Sequence, residues 1–279
     1  MTVKGLTNLR ATLQFLKDGK DLLIINGEVD PYLEVAGITK ALDNSYALLF
    51  TNIKGYPNAH ITAGLFFRSD RVARIFGIGE VAKLKSEVLA RIEAPIAPLI
   101  VNHNPPCQEL VQTQDLDVRK ALPITQHTAS DPGGILSGGI VLIAAPGFGR
   151  CISYKRINFR GADWASLMCV SGSHSEQILA RYAADKKNLP ITINISPSPA
   201  VLAVAGGGLI QAAMPLGTDE LAIAGGLQGA PVEICPARTV DAYSIADSEW
   251  VIEGYLDTSQ VIWESEEAEQ KGDLSTPFF

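Results

Sequence analysis

The stretch C-I-S-Y-K-R-I-N-F, residues 151–159, reads as extended chain, because β-branched and aromatic residues recur through it. Successive side chains of a strand point to opposite faces, which sets Cys151, Ser153, Lys155 and Ile157 on one side and Ile152, Tyr154, Arg156 and Asn158 on the other. Further short apolar runs flank it: G-G-I-L-S-G-G-I-V-L-I at 133–143, L-P-I-T-I-N-I at 189–195, V-E-I-C at 232–235 and E-W-V-I-E-G-Y-L at 249–256. Two helical patterns, S-H-S-E-Q-I-L-A-R-Y-A-A-D-K-K and T-D-E-L-A-I-A-G-G-L, interrupt them. Many short strands with glycine at their ends predict a split, partly closed β-barrel.

Upstream, from about residue 5 to 105, the texture changes. Helical patterns such as T-N-L-R-A-T-L-Q-F-L and S-D-R-V-A-R-I-F alternate with the apolar runs L-L-I-I-N-G and A-L-L-F-T-N-I. This alternation predicts an α/β layer. At N-H-N-P-P-C, 102–107, two prolines break both periods. The expected organisation is therefore α+β: an N-terminal α/β domain over 1–105, then a split-barrel domain over 106–279.

Composition narrows the function classes. The chain has 279 residues, 47% apolar and 19% charged, an ordinary globular balance. A net charge of -7 without a basic stripe argues against nucleic acid. M-T-V-K-G-L-T-N-L-R lacks the apolar core of a signal peptide, and no apolar run reaches the roughly 20 residues of a membrane span, so a cytoplasmic protein is expected. Cys107, Cys151, Cys169 and Cys235 show no C-x-x-C spacing, which predicts free, buried thiols rather than zinc ligands or disulfides. A-G-G-G-L lacks the lysine and hydroxyl of a P-loop, G-F-G-R is not a dinucleotide fingerprint, and in G-S-H-S a histidine stands where a nucleophile elbow needs serine.

Several polar residues still need explaining. Arg156 is either a solvated arginine on a sheet face or a group held for use. His174 opens a helix behind serines that suit an N-cap, where backbone N–H groups attract anions, though a surface histidine fits as well. The glycines at 206–208 permit close backbone approach. Pro215 turns the chain so that Asp219 and Glu220 start a helix, where carboxylates also serve as plain dipole partners.

Taken together, T-N-I-K-G-Y-P at 51–57, P-C-Q-E at 106–109, L-P-I-T-I-N-I-S-P-S-P-A at 189–200, A-M-P-L at 213–216, D-E-L-A-I-A-G-G-L-Q-G at 219–229 and E-W-V-I-E-G-Y at 249–255 resemble, in order, the UbiD-like decarboxylases of the hydroxyaromatic-acid branch. The resemblance covers the N-terminal and cofactor-binding portion, without the family's C-terminal α/β domain. It implies a carboxy-lyase using prenylated FMN, with Mn2+ or a similar divalent cation and K+ tethering the cofactor phosphate. By the same resemblance, His174 and Glu220 are metal ligands near the phosphate. Cys151 falls on a third ligand position, where the family usually offers Asn or Asp and where a thiol suits a hard cation poorly. Ser153, Tyr154, Ser173, Ala212, Ala213, Met214 and Pro215 fall on cofactor-contacting positions, the last four near the flavin and K+.

Arg156 resembles the family's catalytic arginine, which orients the substrate carboxylate between two acids. Glu249 and Glu253 share a strand face and are expected to face solvent. The first acid is expected to be Glu264, and the second, the proton donor, to lie just past Phe279. On this reading the closing G-D-L-S-T-P-F-F is the middle of an active-site loop whose two rings are covered by residues further on. A solvated, flexible tail over E-S-E-E-A-E, 264–269, is the competing reading. The implied partners are a small aromatic acid substrate, a flavin prenyltransferase as cofactor supplier, and a homo-oligomer or complementary C-terminal subunit. The implied function is non-oxidative decarboxylation of an aromatic acid, open to reversal. The alternatives are a non-catalytic flavin-binding or assembly module and, more remotely, an FMN reductase on a similar barrel.

Overall fold

The computed structural model describes residues 6–207, 215, 217–264 and 274–279. Helix α1, Leu9–Asp18, starts where the Asn8 side chain accepts from the Ala11 N–H at 2.8 Å, and it turns Leu9, Thr12 and Leu16 inward. Strand β1, Leu22–Ile25, runs parallel to β2, Ala47–Phe50, with helix α2, Glu34–Ala41, between them; β3, Ile61–Ala63, pairs antiparallel on the other side of β2. Both faces of β2 are covered, with Leu48 and Phe50 packing beside Val35 and Ala47 joining the main core. Helices α3, Ser69–Ile75, and α4, Leu84–Ile92, complete this layer. Arg71 is fully buried and is held by Asp21 through Nε at 3.0 Å and Nη2 at 2.8 Å, and by the Gly64 carbonyl at 2.6 Å. Removing Asp21 would leave that guanidinium buried with only the Gly64 and Ser45 carbonyls as partners.

The chain then crosses into the second layer. Strand β4, Leu99–Ile100, precedes the short helix α5, Val118–Ala121, and the strands β5, Ile135–Leu136, β6, Gly139–Ala145, β7, Gly149–Tyr154, β8, Ile157–Phe159, and β9, Ala165–Leu167. Helix α6, His174–Ala184, leads to β10, Leu189–Ile195, helix α7, Pro199–Ala205, and helix α8, Glu220–Gln228. The described chain closes with β11, Glu233–Pro236, β12, Tyr243–Ile245, β13, Trp250–Leu256, β14, Ile262–Trp263, and β15, Leu274–Phe278.

Nine of these strands form one sheet in the order β5-β8-β9-β15-β13-β10-β6-β7, with β14 attached to β15. Strands β7 and β8 follow one another after only two residues, yet β7 is the last strand of that order and β8 the second. The sheet therefore curls until its ends approach, giving the curled half-barrel, and Lys155–Arg156 is the seam. One expectation is corrected here. The 151–159 run is two strands broken at 155–156, because β7 pairs with β6 while β8 pairs with β5 and β9.

The layers share one core. Leu9, Leu16, Ile75 and Phe76 of the first layer pack in the same cluster as Ile140, Leu142, Ile152 and the apolar faces of α7 and α8. Strand β4, upstream of residue 105, pairs in parallel with β11 in a separate three-stranded sheet. Helix α8 lies so close to the end of α4 that a Cβ on Gly226 would sit 2.4 Å from the Arg91 carbonyl oxygen, and one on Gly225 2.4 Å from that of Ile96. Only glycine permits that approach. Among the described residues no helix is long and apolar enough to cross a membrane.

Over Leu274–Phe278 the closing chain is a strand and not a loop, while 265–269 of the expected tail lie outside the described residues. Strand β15 inserts between β9 and β13, and Phe278 is 2% exposed within the barrel core, covered by the chain itself. Only Phe279 is exposed, its ring lying against Tyr255. Tyr255 and Phe279 exchange backbone hydrogen bonds at 2.7 and 3.0 Å, and the Pro277 carbonyl accepts from the Asp257 N–H at 2.8 Å. A Cβ on Gly254 would lie 2.4 Å from the Phe279 carbonyl oxygen and 2.6 Å from the Phe278 ring. Gly254→Ala should therefore cost about 1–3 kcal/mol, measured as a lower denaturant midpoint at unchanged slope. An unaltered midpoint would mean that β13 and β15 do not pack as described.

Candidate active site

The seam gathers the site. Arg156 lies where the chain leaves β7, and its guanidinium grips Glu264 bidentately, Nε donating to Oε1 at 2.8 Å and Nη2 donating to Oε2. Glu264 follows β14 and is 6% exposed, with its own carbonyl accepting from the Ser166 hydroxyl at 3.3 Å. Arg156 remains about half exposed, its Nη2 also 3.5 Å from Met168 Sδ. Among the described residues nothing bonds to Nη1. The expected partner Glu264 is thus the acid on Arg156. Glu249 instead pairs with Arg10 through two 2.8 Å bonds, and Glu253 accepts from the Arg238 and Thr239 N–H groups, so both carboxylates tie segments together.

A second carboxylate is held at Ile152, four residues before Arg156 on the chain. Glu220, in the first turn of α8, is 1% exposed, and its Oε2 accepts from the Ile152 N–H at 2.6 Å. Its Oε1 has no hydrogen-bond partner among the described residues and lies 3.7 Å from His174 Nδ1. Desolvation pushes the Glu220 carboxyl up to about 7, against the smaller pulls of the Ile152 N–H, the Cys151 thiol and Lys155, in that order. Ser173 caps α6 by accepting from the Glu176 N–H at 3.2 Å, which leaves His174 at the first helical position. Ser175, a residue with no expected role, sits 3.5 Å from both the Cys151 thiol and the Ser153 hydroxyl.

The expected donors only partly meet. Among the described residues no three His, Cys, Asp or Glu side chains form a metal-sized cluster. Cys151 lies beside Glu220, and its thiol is pushed up to about 12, chiefly by burial and then by the Glu220 charge. The expected His174, Glu220 and Cys151 set thus offers two donors that suit a hard cation and a soft thiol that suits it poorly. Tyr154 points away from Cys151 and Ser153, packing on the main core and near Gly206. Pro215 is exposed, and Ala212, Ala213 and Met214, on which the K+ expectation also rested, lie outside the described residues. Lys155, on the Cys151–Ser153 side, is 7% exposed. The alternation of the sequence had already placed it there, next to the groups of interest.

Comparison with known proteins places this geometry. The family model for the 3-octaprenyl-4-hydroxybenzoate carboxy-lyase Rift-related domain matches residues 99–275, and the model for the N-terminal domain of that carboxy-lyase matches 13–92. A gallate decarboxylase of Lactiplantibacillus plantarum is 26% identical over 92% of this chain and 55% of its own length. A structure of an evolved dimeric form of the UbiD-class enzyme HmfF from Pelotomaculum thermopropionicum with prFMN superposes with a TM-score of 0.83 at 30% identity, over 90% of this chain and 57% of that one. The apo 3,4-dihydroxybenzoic acid decarboxylase of Enterobacter cloacae gives 0.86 at 26% identity, over 98% and 62%. The chain spans about half the length of the curated relatives it matches.

The buried carboxylate has a pH signature. In metal-free, cofactor-free protein the native pKa near 7 stands above the ordinary 4.5. Below the lower value both states hold the proton and the effect vanishes; as pH rises through the interval, the unfolded chain ionises first and the native state loses on the order of 3 kcal/mol. Glu220→Gln should match the parent's stability near pH 4.5 and exceed it at pH 8 in denaturant titrations. Equal stability at pH 8 would show that Glu220 is not desolvated.

Proposed function

The chain belongs to the UbiD family, and on that premise we propose that it forms the N-terminal and cofactor-binding part of a prenylated-FMN-dependent decarboxylase acting on an aromatic or hydroxyaromatic carboxylic acid. The observation that carries this reading is the bidentate Arg156–Glu264 pair at the seam. Along extended chain it is roughly 13 Å from the Ile152 N–H that holds Glu220. The two ends of that stretch thus suit the two ends of a flavin mononucleotide, ring beside Arg156 and phosphate beside His174.

When bound, prenylated FMN supplies the electron sink for the pair left on carbon as carbon dioxide departs. The chain's own residues do the rest. One edge of the Arg156 guanidinium is fixed on Glu264, which pre-orients the free Nη1 edge for a substrate carboxylate with little rotamer entropy left to lose. Burial of Glu264 and the hydroxyl of Ser166 on its backbone hold that acid in place. The geometry serves decarboxylation and its reverse alike, since both pass through the same transition state. At the other end, the N–H groups opening α6, His174 and Lys155 favour an anion. The residues present thus fit a phosphate; they do not complete the expected three-donor divalent site. The dimeric relative supports assembly into an oligomer, and a flavin prenyltransferase is the class of enzyme that must supply the cofactor.

Co-expression with a flavin prenyltransferase should give this chain flavin absorbance, and the enzyme of which it forms a part should release carbon dioxide from hydroxybenzoic acids. Arg156→Ala should cut kcat/KM by about 10²–10⁴-fold while the flavin absorbance persists, because the guanidinium acts on substrate. Glu264→Gln should lower kcat through Arg156 at similar flavin content. Full turnover by Arg156→Ala would remove the residue from the mechanism.

A further inference from the structure

Cys107 and Cys235 are 128 positions apart in the sequence, yet their sulfurs lie 3.6 Å from one another. Cys107 sits in the short turn Pro106–Gln108, and Cys235 lies in β11, the central strand of the three-stranded sheet. The contact is supported from both sides. The Cys107 N–H donates to the Ala246 carbonyl at 3.0 Å, and the Ala246 N–H donates to the Glu233 carbonyl at 2.9 Å. Cys235 in turn faces Ser244 across the β11–β12 ladder, so the stretch 244–246 carries the backbones of both cysteines. Gln108 clamps the turn to β11, its Nε2 donating to the Pro236 carbonyl at 2.8 Å and lying 3.5 Å from the Cys235 sulfur.

Two thiols in hydrogen-bond contact titrate as a pair, because once one proton leaves the other is shared across the contact and steadies the thiolate. That bond holds the Cys235 thiol below its ordinary range, against burial, and the Cys107 thiol above it. Cys235 is 1% exposed, whereas Cys107 is half-buried and reachable from solvent. With both backbones already tied to one stretch, closing the gap to the roughly 2.05 Å of a disulfide is a movement of side chains. We propose that Cys107 and Cys235 form an oxidation site, which a hydroperoxide converts into a disulfide that staples the 106–108 turn to β11. One sulfur takes an oxygen as the O–O bond breaks, giving a sulfenic acid and a first water. The second sulfur attacks the first, the S–S bond forms, and the oxygen leaves as a second water. Two electrons and two protons pass from the thiols to the peroxide. In a reducing compartment the pair rests as thiols and is oxidised transiently. The loop so closed runs from α5 to α8 and contains Arg156, His174 and Glu220, so the staple fixes the two ends of the segment that carries them.

The full chain is reduced, freed of reductant, treated with hydrogen peroxide, alkylated and digested without reductant for mass spectrometry. A peptide pair joined through Cys107 and Cys235 is expected, with free thiols falling from four to two and all four restored by dithiothreitol. Stabilisation by a cross-link grows with the loop it closes, so oxidation should raise the thermal midpoint by roughly 5–15 °C. Cys169→Ser should retain both the joined peptides and the shift. Cys235→Ser should lose both, and Cys107→Ser should repeat that loss without altering the buried strand. Peroxide-treated protein in which the two cysteines are recovered unlinked, or joined to other thiols or to a second copy, overturns the proposal. An oxidised chain that melts no higher than the reduced one overturns the staple. None of these measurements needs flavin or substrate, so their outcome is independent of the proposed function.

Discussion

Two residues separate β7 from β8, yet in the hydrogen-bonding order of the sheet β7 is one edge and β8 is next to the other. A flat sheet cannot satisfy both facts. The sheet must coil until its two ends nearly meet, in the sense that right-handed strand twist already favours. Because full pairing stops at the seam, the backbone at Lys155–Arg156 belongs to neither ladder. Long polar side chains can lie there without being displaced by a neighbouring strand, and the proposed substrate grip, Arg156 on Glu264, lies in that gap. The same coil leaves an inner face, closed by α6, and an outer face, on which α7, α8 and the first layer share a core.

The two carboxylates near the seam are handled in opposite ways. Glu264 is met by a guanidinium whose planar fork matches both of its oxygens, so its burial is balanced by a neighbour. Glu220 is met on one oxygen by a backbone N–H, and its second oxygen faces His174 at 3.7 Å. Burial therefore dominates, and the group is held toward neutrality until a cation or donor approaches. One acid is preorganised and the other is responsive. That division suits a site that grips substrate at one end and exchanges a charged cofactor group at the other.

The last described strand shows how tertiary pairing overrides a local signal. L-S-T-P-F has a proline, which normally argues against a central strand. Yet β15 lies between β9 and β13. Pro277 contributes its carbonyl to Asp257, Phe278 fills the barrel core, and Gly254 is bare opposite it so that the two strands can approach. Each of these concessions belongs to a different part of the chain.

Helix and strand periodicity were legible wherever one face of an element is buried, as in α1, α6 and β10, and the segment order was enough to indicate the family and the pairing of Arg156 with Glu264. Local pattern also placed Lys155 beside Cys151 and Ser153. It did not reveal that the strand breaks at 155–156, that Glu249 and Glu253 serve as struts to Arg10 and the 238–239 turn, or that Phe278 is core. Those outcomes depend on which segment lies opposite which, and side-chain periodicity carries no information about a partner far away in sequence. The amino-acid order by itself determined which elements form and which residues share a face. Only the curling of the sheet decided which charges meet, because burial and electrostatic partners are properties of the assembled core and not of the neighbouring residues.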